Sequence, residues 1–295
     1  MWDLRQQPPP APAGQPTPTN TGVVNYIGKH DQPVRCLKVM NAESIGTANP
    51  LCVTGSWDKT VKFWDIKQRN GVPACELKHE ERIYAMDVKG SITVVATADN
   101  RIHIYDKNQK IGAYKSPLNY QSRCVSIFSD LKGFAIGCIE GRVAIQYFDE
   151  IQLEIAKEQN RGARNDKSKN FVFKCHREKT DVFCVNAIDF HRYNTFCTAG
   201  SDGVFSWWDK DMKHRLAIFE KFKKKEVNGV QMPITSVKFN PMGNLMFYSL
   251  SYDWSKGAEH NNPNIGQHIM VHPITDKLIQ PKQQASAGGG VFSRR

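Results

Sequence analysis

His30, the hydroxyls of Thr54 and Ser56, and Asp58 supply the side-chain types of an acyl-transfer triad: a base, a nucleophile and a carboxylate to orient the base. Trp64 follows close behind. The same types recur, however. Asp202 stands to Trp208 as Asp58 stands to Trp64, and His79 with Asp99 and Tyr105 makes a less complete copy. A catalyst needs one such set, whereas a brace repeats with the element it braces. In the structural reading, Asp58 accepts from the His30 ring, the Trp64 indole donates to Thr54 or Ser56, and together they fix a turn.

Other chemistry has less support. His176 follows Cys175 and His191 lies further on, but neither has a second histidine about three to five residues away, as a metal pair would. The eight cysteines are scattered singly, with Cys36, Cys52, Cys138, Cys184 and Cys197 on apolar strands, so they read as reduced core thiols. Neither glycine-rich phosphate loop is present. The sequence therefore reads as non-enzymatic, with no cofactor and no metal.

Basic and aromatic residues interleave in two places. Phe171 to Arg177 contains Phe173 beside Lys174, and Trp207 to Arg215 contains Trp208, Lys210, Lys213 and Arg215. Rings of this kind stack on bases while the cations meet phosphates. The alternative keeps Trp208 in the core and the lysines on a solvated loop, and the run Lys221, Lys223, Lys224 and Lys225 is open to the same alternative. The net charge of +11, from 40 basic and 29 acidic residues, favours acidic partners such as RNA or acidic protein surfaces.

The elements that must position these residues are strands. Thr54 to Asp65 reads as an apolar strand, a polar turn at Asp58 and an alternating strand ending Trp-Asp; Thr198 to Asp209 repeats it. Weaker copies run Val94 to Asp106, Gly133 to Tyr147 and Ile234 to Val271. Asp65 to Asp106, and Tyr105 to Tyr147, each span a little over about 40 residues, the period of one four-stranded WD-repeat blade. The fold class is all-β, a WD-repeat β-propeller with five readable blades over residues 29–280. Insertions at 157–170 and 221–226 lengthen the other intervals.

Met1-Trp2-Asp3-Leu4 reads as the last half-strand of a preceding blade. The expectation is thus an incomplete or open ring, from a shortened chain or a gene model begun at an internal methionine, with an abbreviated five-bladed ring as the other possibility. Residues 5–28 form a linker rich in proline at 8–18, and 281–295 a loose tail. No apolar run nears the ~18 residues of a membrane span, and the N-terminus lacks a secretory core, which points to nucleus or cytosol.

Three segments go beyond a general WD repeat: Thr54 to Asp65, Ile139 to Tyr147 and Ser251 to Gly257 (SYDWSKG). With Phe171 to Arg177 and Gly200 to Asp211, they closely resemble the messenger-RNA export propellers of the nuclear pore over residues 29–275. That resemblance implies a seven-bladed parent, of which this sequence matches the third through seventh blades. It implies a nuclear and pore-associated adaptor, present also in the cytoplasm, that binds an FG-nucleoporin through its GLEBS motif, associates with messenger ribonucleoprotein and takes part in spindle assembly. Carried over by position, Glu140 and Arg142 would contact the nucleoporin. Phe173, Trp208, Lys210, Lys213 and Arg215 would form the nucleic-acid surface. A kinetochore checkpoint scaffold, against which SYDWSKG argues, and a ubiquitin-ligase substrate receptor are the alternatives.

Overall fold

The computed structural model describes residues 26–68, 71–152, 168–220, 232–261 and 266–281, with the backbone alone for 2–3, 23–24, 226–227 and 230–231. The proline-rich stretch, most of the 157–170 run, Lys221 to Lys225 and the tail lie outside the described residues.

Two units are resolved, Met1–Val125 and Ser126–Arg295. In the first, β1 (Trp2–Asp3) pairs antiparallel with β2 (Val23–Val24). A four-stranded sheet follows in order β3 (Val34–Met40), β4 (Leu51–Ser56), β5 (Thr60–Asp65) and β6 (Cys75–Lys78). A second repeats it with β7 (Ile83–Lys89), β8 (Ile92–Thr97), β9 (Arg101–Asp106) and β10 (Gln109–Lys115). The third sheet, β11 (Ser122–Ile127), β12 (Gly133–Cys138), β13 (Arg142–Tyr147) and β14 (Phe171–Lys174), starts at the unit boundary.

In the second unit, the hairpin β15 (Arg177–Glu178) and β16 (Asp181–Val182) leads to a fourth sheet. Its strands are β17 (Val185–Phe190), β18 (Phe196–Gly200), β19 (Phe205–Asp209) and β20 (His214–Phe219). After the pair β21 (Glu226–Val227) and β22 (Val230–Gln231), the last sheet has three strands: β23 (Ile234–Phe239), β24 (Leu245–Leu250) and β25 (His268–Pro273). The five blades expected from the repeats are these five antiparallel meanders.

The turn between the second and third strand is built alike in the first four blades, and the longer connection of the last blade, 251–267, starts with the same pair of residue types. An acid is followed by a residue in the left-handed region: Asp58-Lys59 (φ 69), Asp99-Asn100 (φ 58), Glu140-Gly141 (φ 61), Asp202-Gly203 (φ 69) and Asp253-Trp254 (φ 63). In the four short turns that geometry is the one a tight hairpin demands. Glycine is obligatory at 141, where a Cβ would lie 2.6 Å from the Cys175 carbonyl oxygen. Lys59 and Trp254 adopt it at a steric cost of about 1 kcal/mol each.

Alternation sorts each sheet into two faces, and neighbouring sheets within a unit bury them against each other. In the first unit, Val53, Val61 and Phe63 of the first blade meet Ile83, Met86 and Val88 of the second. In the second unit, Cys197, Ala199, Phe205 and Trp207 of the fourth blade meet Val237, Phe239, Met246 and Tyr248 of the last. Each large apolar side chain so buried contributes about 1.5–3 kcal/mol. First strands of adjacent blades are tied by charge as well. Lys38 Nζ lies 2.8 Å from Asp87, and Asp189 accepts from Lys238 Nζ and from the Phe239 N–H at 2.8 Å.

Candidate functional site

The first blade carries the complete clamp. The Trp64 indole donates to Thr54 Oγ1 at 2.7 Å, and Thr54 Oγ1 lies 2.7 Å from His30 Nε2. The other ring nitrogen, Nδ1, lies 2.7 Å from Asp58. Asp58 also accepts from the Asp31 N–H at 3.1 Å, the Thr60 N–H at 3.0 Å and the Thr60 hydroxyl at 2.6 Å. Burial alone would raise the Asp58 carboxyl; the bonds from Thr60, His30 and Asp31 outweigh it and hold the group below the usual range. Of the two hydroxyls offered by the sequence, Thr54 is the member. Ser56 donates instead to the Gln32 and Pro33 carbonyls. Thr54 is buried and already accepts an indole N–H, so the set joins two turns and presents no free hydroxyl.

The fourth blade repeats the clamp with a histidine that the sequence reading weighed only as a metal ligand. His176 Nδ1 lies 2.9 Å from Asp202, its Nε2 lies 3.0 Å from Thr198 Oγ1, and Trp208 donates to Thr198 at 2.9 Å. Spacing held the signal. The His–Asp separation is 26 positions here and 28 in the first blade. His191, the other metal candidate, meets the Gly243 carbonyl at 2.9 Å and tethers the fourth blade to the last. No group of three metal-binding side chains occurs among the described residues.

In the second blade Tyr105 takes the tryptophan place, its hydroxyl 3.1 Å from His79 Nε2, while Asp99 accepts from Thr97 and not from His79. His79 and His103 meet edge to face at 4.8 Å. Burial, chiefly, pushes both rings down to about 4, and His79 adds to the effect on His103. The unfolded chain takes up protons near pH 6.5, whereas the folded rings resist until about 4. Stability should therefore fall as pH drops through that window. Urea midpoints against pH should be flatter for His103→Leu than for the parent, and parallel curves would reject the assignment.

The basic–aromatic strip forms where β14 approaches β19 and β20. Phe173 packs on Trp208 at 4.6 Å between ring centroids, the Arg215 guanidinium lies 6.0 Å from the Trp208 ring, and Lys213 Nζ lies 4.8 Å from the Phe171 ring. Phe171 and Phe173 alternate onto one face of β14, and the β19–β20 register sets Arg215 opposite Trp208. Two hollows share Lys174 and Trp208. One of about 110 Å³ is lined by Phe171, Phe173, Phe196 and Lys213. The other, of about 450 Å³, holds Arg177 and Arg215.

Lys210 also lines the smaller hollow, but unlike Lys213 and Arg215 it is buried and not on the open surface that the sequence reading gave it. Its side chain is 2% exposed; the ammonium lies 2.6 Å from Asp211 and sits over the Phe128 and Tyr147 rings at 5.0 and 5.4 Å. Lysine in a turn reads as solvated, and only the third blade's aromatics, remote in sequence, make it a core residue. Trp208 takes both of the roles weighed for it, with its N–H spent in the clamp and its half-buried ring against Phe173.

Glu140 and Arg142 are neighbours in space, Arg142 Nε lying 3.1 Å from Glu140 Oε2. Arg177, which the sequence reading left out, completes the cluster. It donates to the Glu140 carbonyl at 2.6 Å and approaches the Glu140 carboxylate at 3.4 Å. In SYDWSKG, Asp253 is buried and accepts from Ser201 and from Asn186 Nδ2 of the neighbouring blade and from the Ser255 N–H. Burial would raise its carboxyl, but Ser201, Ser255 and Asn186 together hold it low. Trp254, beside it, is 59% exposed.

The WD domain, G-beta repeat model matches residues 23–65 and 167–209, each match ending on a Trp-Asp pair. The chain is 43% identical over 271 residues to the mRNA export factor GLE2 of Chaetomium thermophilum, covering 89% of this chain and 68% of that protein. It is 39% identical over 270 residues to the Poly(A)+ RNA export protein of Schizosaccharomyces pombe, covering 89% and 69%. With Protein Rae1 of Drosophila melanogaster the identity is 38% over 268 residues, covering 86% and 69%.

Proposed function

The chain belongs to the WD-repeat messenger-RNA export factors, and from that premise we propose that it works as a non-catalytic adaptor, holding RNA on the strip around Trp208 while docking a nucleoporin. The observation that carries this reading is the pairing of exposed cations, Lys174, Lys213 and Arg215, with the Phe171, Phe173 and Trp208 rings along one blade junction. Every base has a face that stacks on an aromatic ring, and every nucleotide a phosphate for a cation, so such a strip suits single-stranded RNA without a fixed sequence. The Glu140, Arg142 and Arg177 cluster supports the second contact, with a GLEBS-type hairpin. Arg142 and Arg177 stay partly exposed and hold forks suited to carboxylates, with Glu140 fixing their orientation.

Its place of work would be the nucleus and its pores, with passage into the cytoplasm and a part at the spindle. Two measurements test the reading. Affinity for an oligoadenylate should fall steeply as salt rises, because phosphate contacts release counterions; binding indifferent to salt would overturn the RNA half. An immobilised GLEBS peptide should retain the chain and lose it on Arg142→Glu. Equal retention of both would overturn the nucleoporin half.

A further inference from the structure

Arg177 stands between two sites. Its side chain lines the larger hollow, about 450 Å³, together with Lys174, Arg215 and the Trp208 ring. It also belongs to the turn at Glu140. Arg177 Nη2 donates to the Glu140 carbonyl at 2.6 Å and lies 3.4 Å from Glu140 Oε1, and its Nε donates to the Gly141 carbonyl at 3.4 Å. The second oxygen of that carboxylate, Oε2, accepts from Arg142 Nε at 3.1 Å. One carboxylate therefore serves two guanidiniums, one facing each site.

The backbone around this trio is closely packed. A Cβ on Gly141 would lie 2.6 Å from the Cys175 carbonyl oxygen and 2.9 Å from that of Phe183, and the Cys175 N–H donates to the Gly141 carbonyl at 3.0 Å. The turn is thus seated on the segment that carries Arg177, and the side chains are what can rearrange. Those of Arg142, Arg177 and Glu140 are 35%, 24% and 25% exposed, so water and salt screen their attraction only in part. In the hollow, Glu178 and Glu220 stand among the cations, so the hold on a phosphate depends on each guanidinium.

We propose that RNA binding on the strip and nucleoporin docking at Arg142 are antagonistically coupled, with Glu140 shared between Arg177 and Arg142. The inference rests on the functional reading above and adds its regulation. A phosphate that engages Arg177 draws it from the Glu140 carboxylate. That carboxylate then pairs wholly with Arg142 and competes with an acidic group of the incoming peptide. A peptide carboxylate on Arg142 does the converse, releasing Glu140 to neutralise Arg177 and weakening the grip on phosphate. Linkage makes the two effects equal. An adaptor built this way loosens its RNA when it docks.

Anisotropy of a labelled oligoadenylate bound to the full chain tests this, with and without saturating GLEBS peptide. Calorimetry of the peptide, with and without saturating RNA, reads the reverse direction. Each affinity should fall about five- to tenfold, by the same factor both ways, and level off as the other ligand saturates. Glu140→Gln removes the shared charge at nearly constant shape, and the factor should drop toward one. Arg177→Lys, which keeps the charge and gives up the fork, should lower it as well. A parent whose affinities are indifferent to the other ligand, or tightened by it, overturns the coupling while leaving both contacts standing. Suppression that never levels off means overlapping ligands, and a factor that survives both substitutions means another route; either result overturns the proposal. Failure of one ligand to bind by itself would reject the functional reading, and the coupling with it.

Discussion

Asp58→Ala should cost about 3–5 kcal/mol and detach the turn between the second and third strands of the first blade. The carboxylate accepts from His30, the Asp31 and Thr60 N–H groups and the Thr60 hydroxyl, and its removal leaves those part-buried donors without their acceptor. Asp58→Asn keeps the shape and one acceptor oxygen, and should cost roughly half as much. The depressed carboxyl gives the sign of the pH dependence. Its stabilisation is present above the unfolded value of 3.8 and is lost as pH falls through the lower folded value. Urea denaturation at neutral pH reads the effect. A change within about 0.5 kcal/mol would mean that the clamp is ornamental.

Lys213→Glu with Arg215→Glu should weaken binding of single-stranded RNA by about ten- to a hundredfold at moderate salt and reduce the salt slope by roughly 1.4, the equivalent of two phosphate contacts. Both side chains are exposed, so thermal stability should hardly move. Lys210→Met should do the reverse. It removes an ammonium held between Phe128 and Tyr147 and paired with Asp211, so it should cost about 1–2 kcal/mol of stability while leaving the salt slope intact. The two readouts separate a surface cation from a buried one. A salt slope that falls with Lys210→Met and holds in the double variant would remove the strip from the mechanism.

The repeat was legible because its signals are local. Alternation placed the strands, and the polar turn at Asp58 recurred in the copies. The His30 to Trp64 clamp was legible for the same reason, since its members sit within one repeat. What escaped the sequence depends on which blade lies beside which. His176 stands next to Cys175 and resembles a ligand pair, and its partnership with Asp202 shows only when its repeat is overlaid on the first. Lys210 is made a core residue by aromatics more than sixty positions away along the chain. Arg177 is recruited to Glu140 by a hairpin that no periodicity announces, and Asp253 reaches into the neighbouring blade for Ser201 and Asn186.

The acid that opens each of these five connections has no fixed duty. In the first and fourth blades it locks its own histidine, in the third it gathers two arginines, and in the last it crosses to a neighbour. A left-handed residue follows the acid each time, so that local bend and the errand of the carboxylate are separable. A lineage could reassign that errand by changing the residue across from it, altering what one end of a blade offers to the outside world while every strand stays in register.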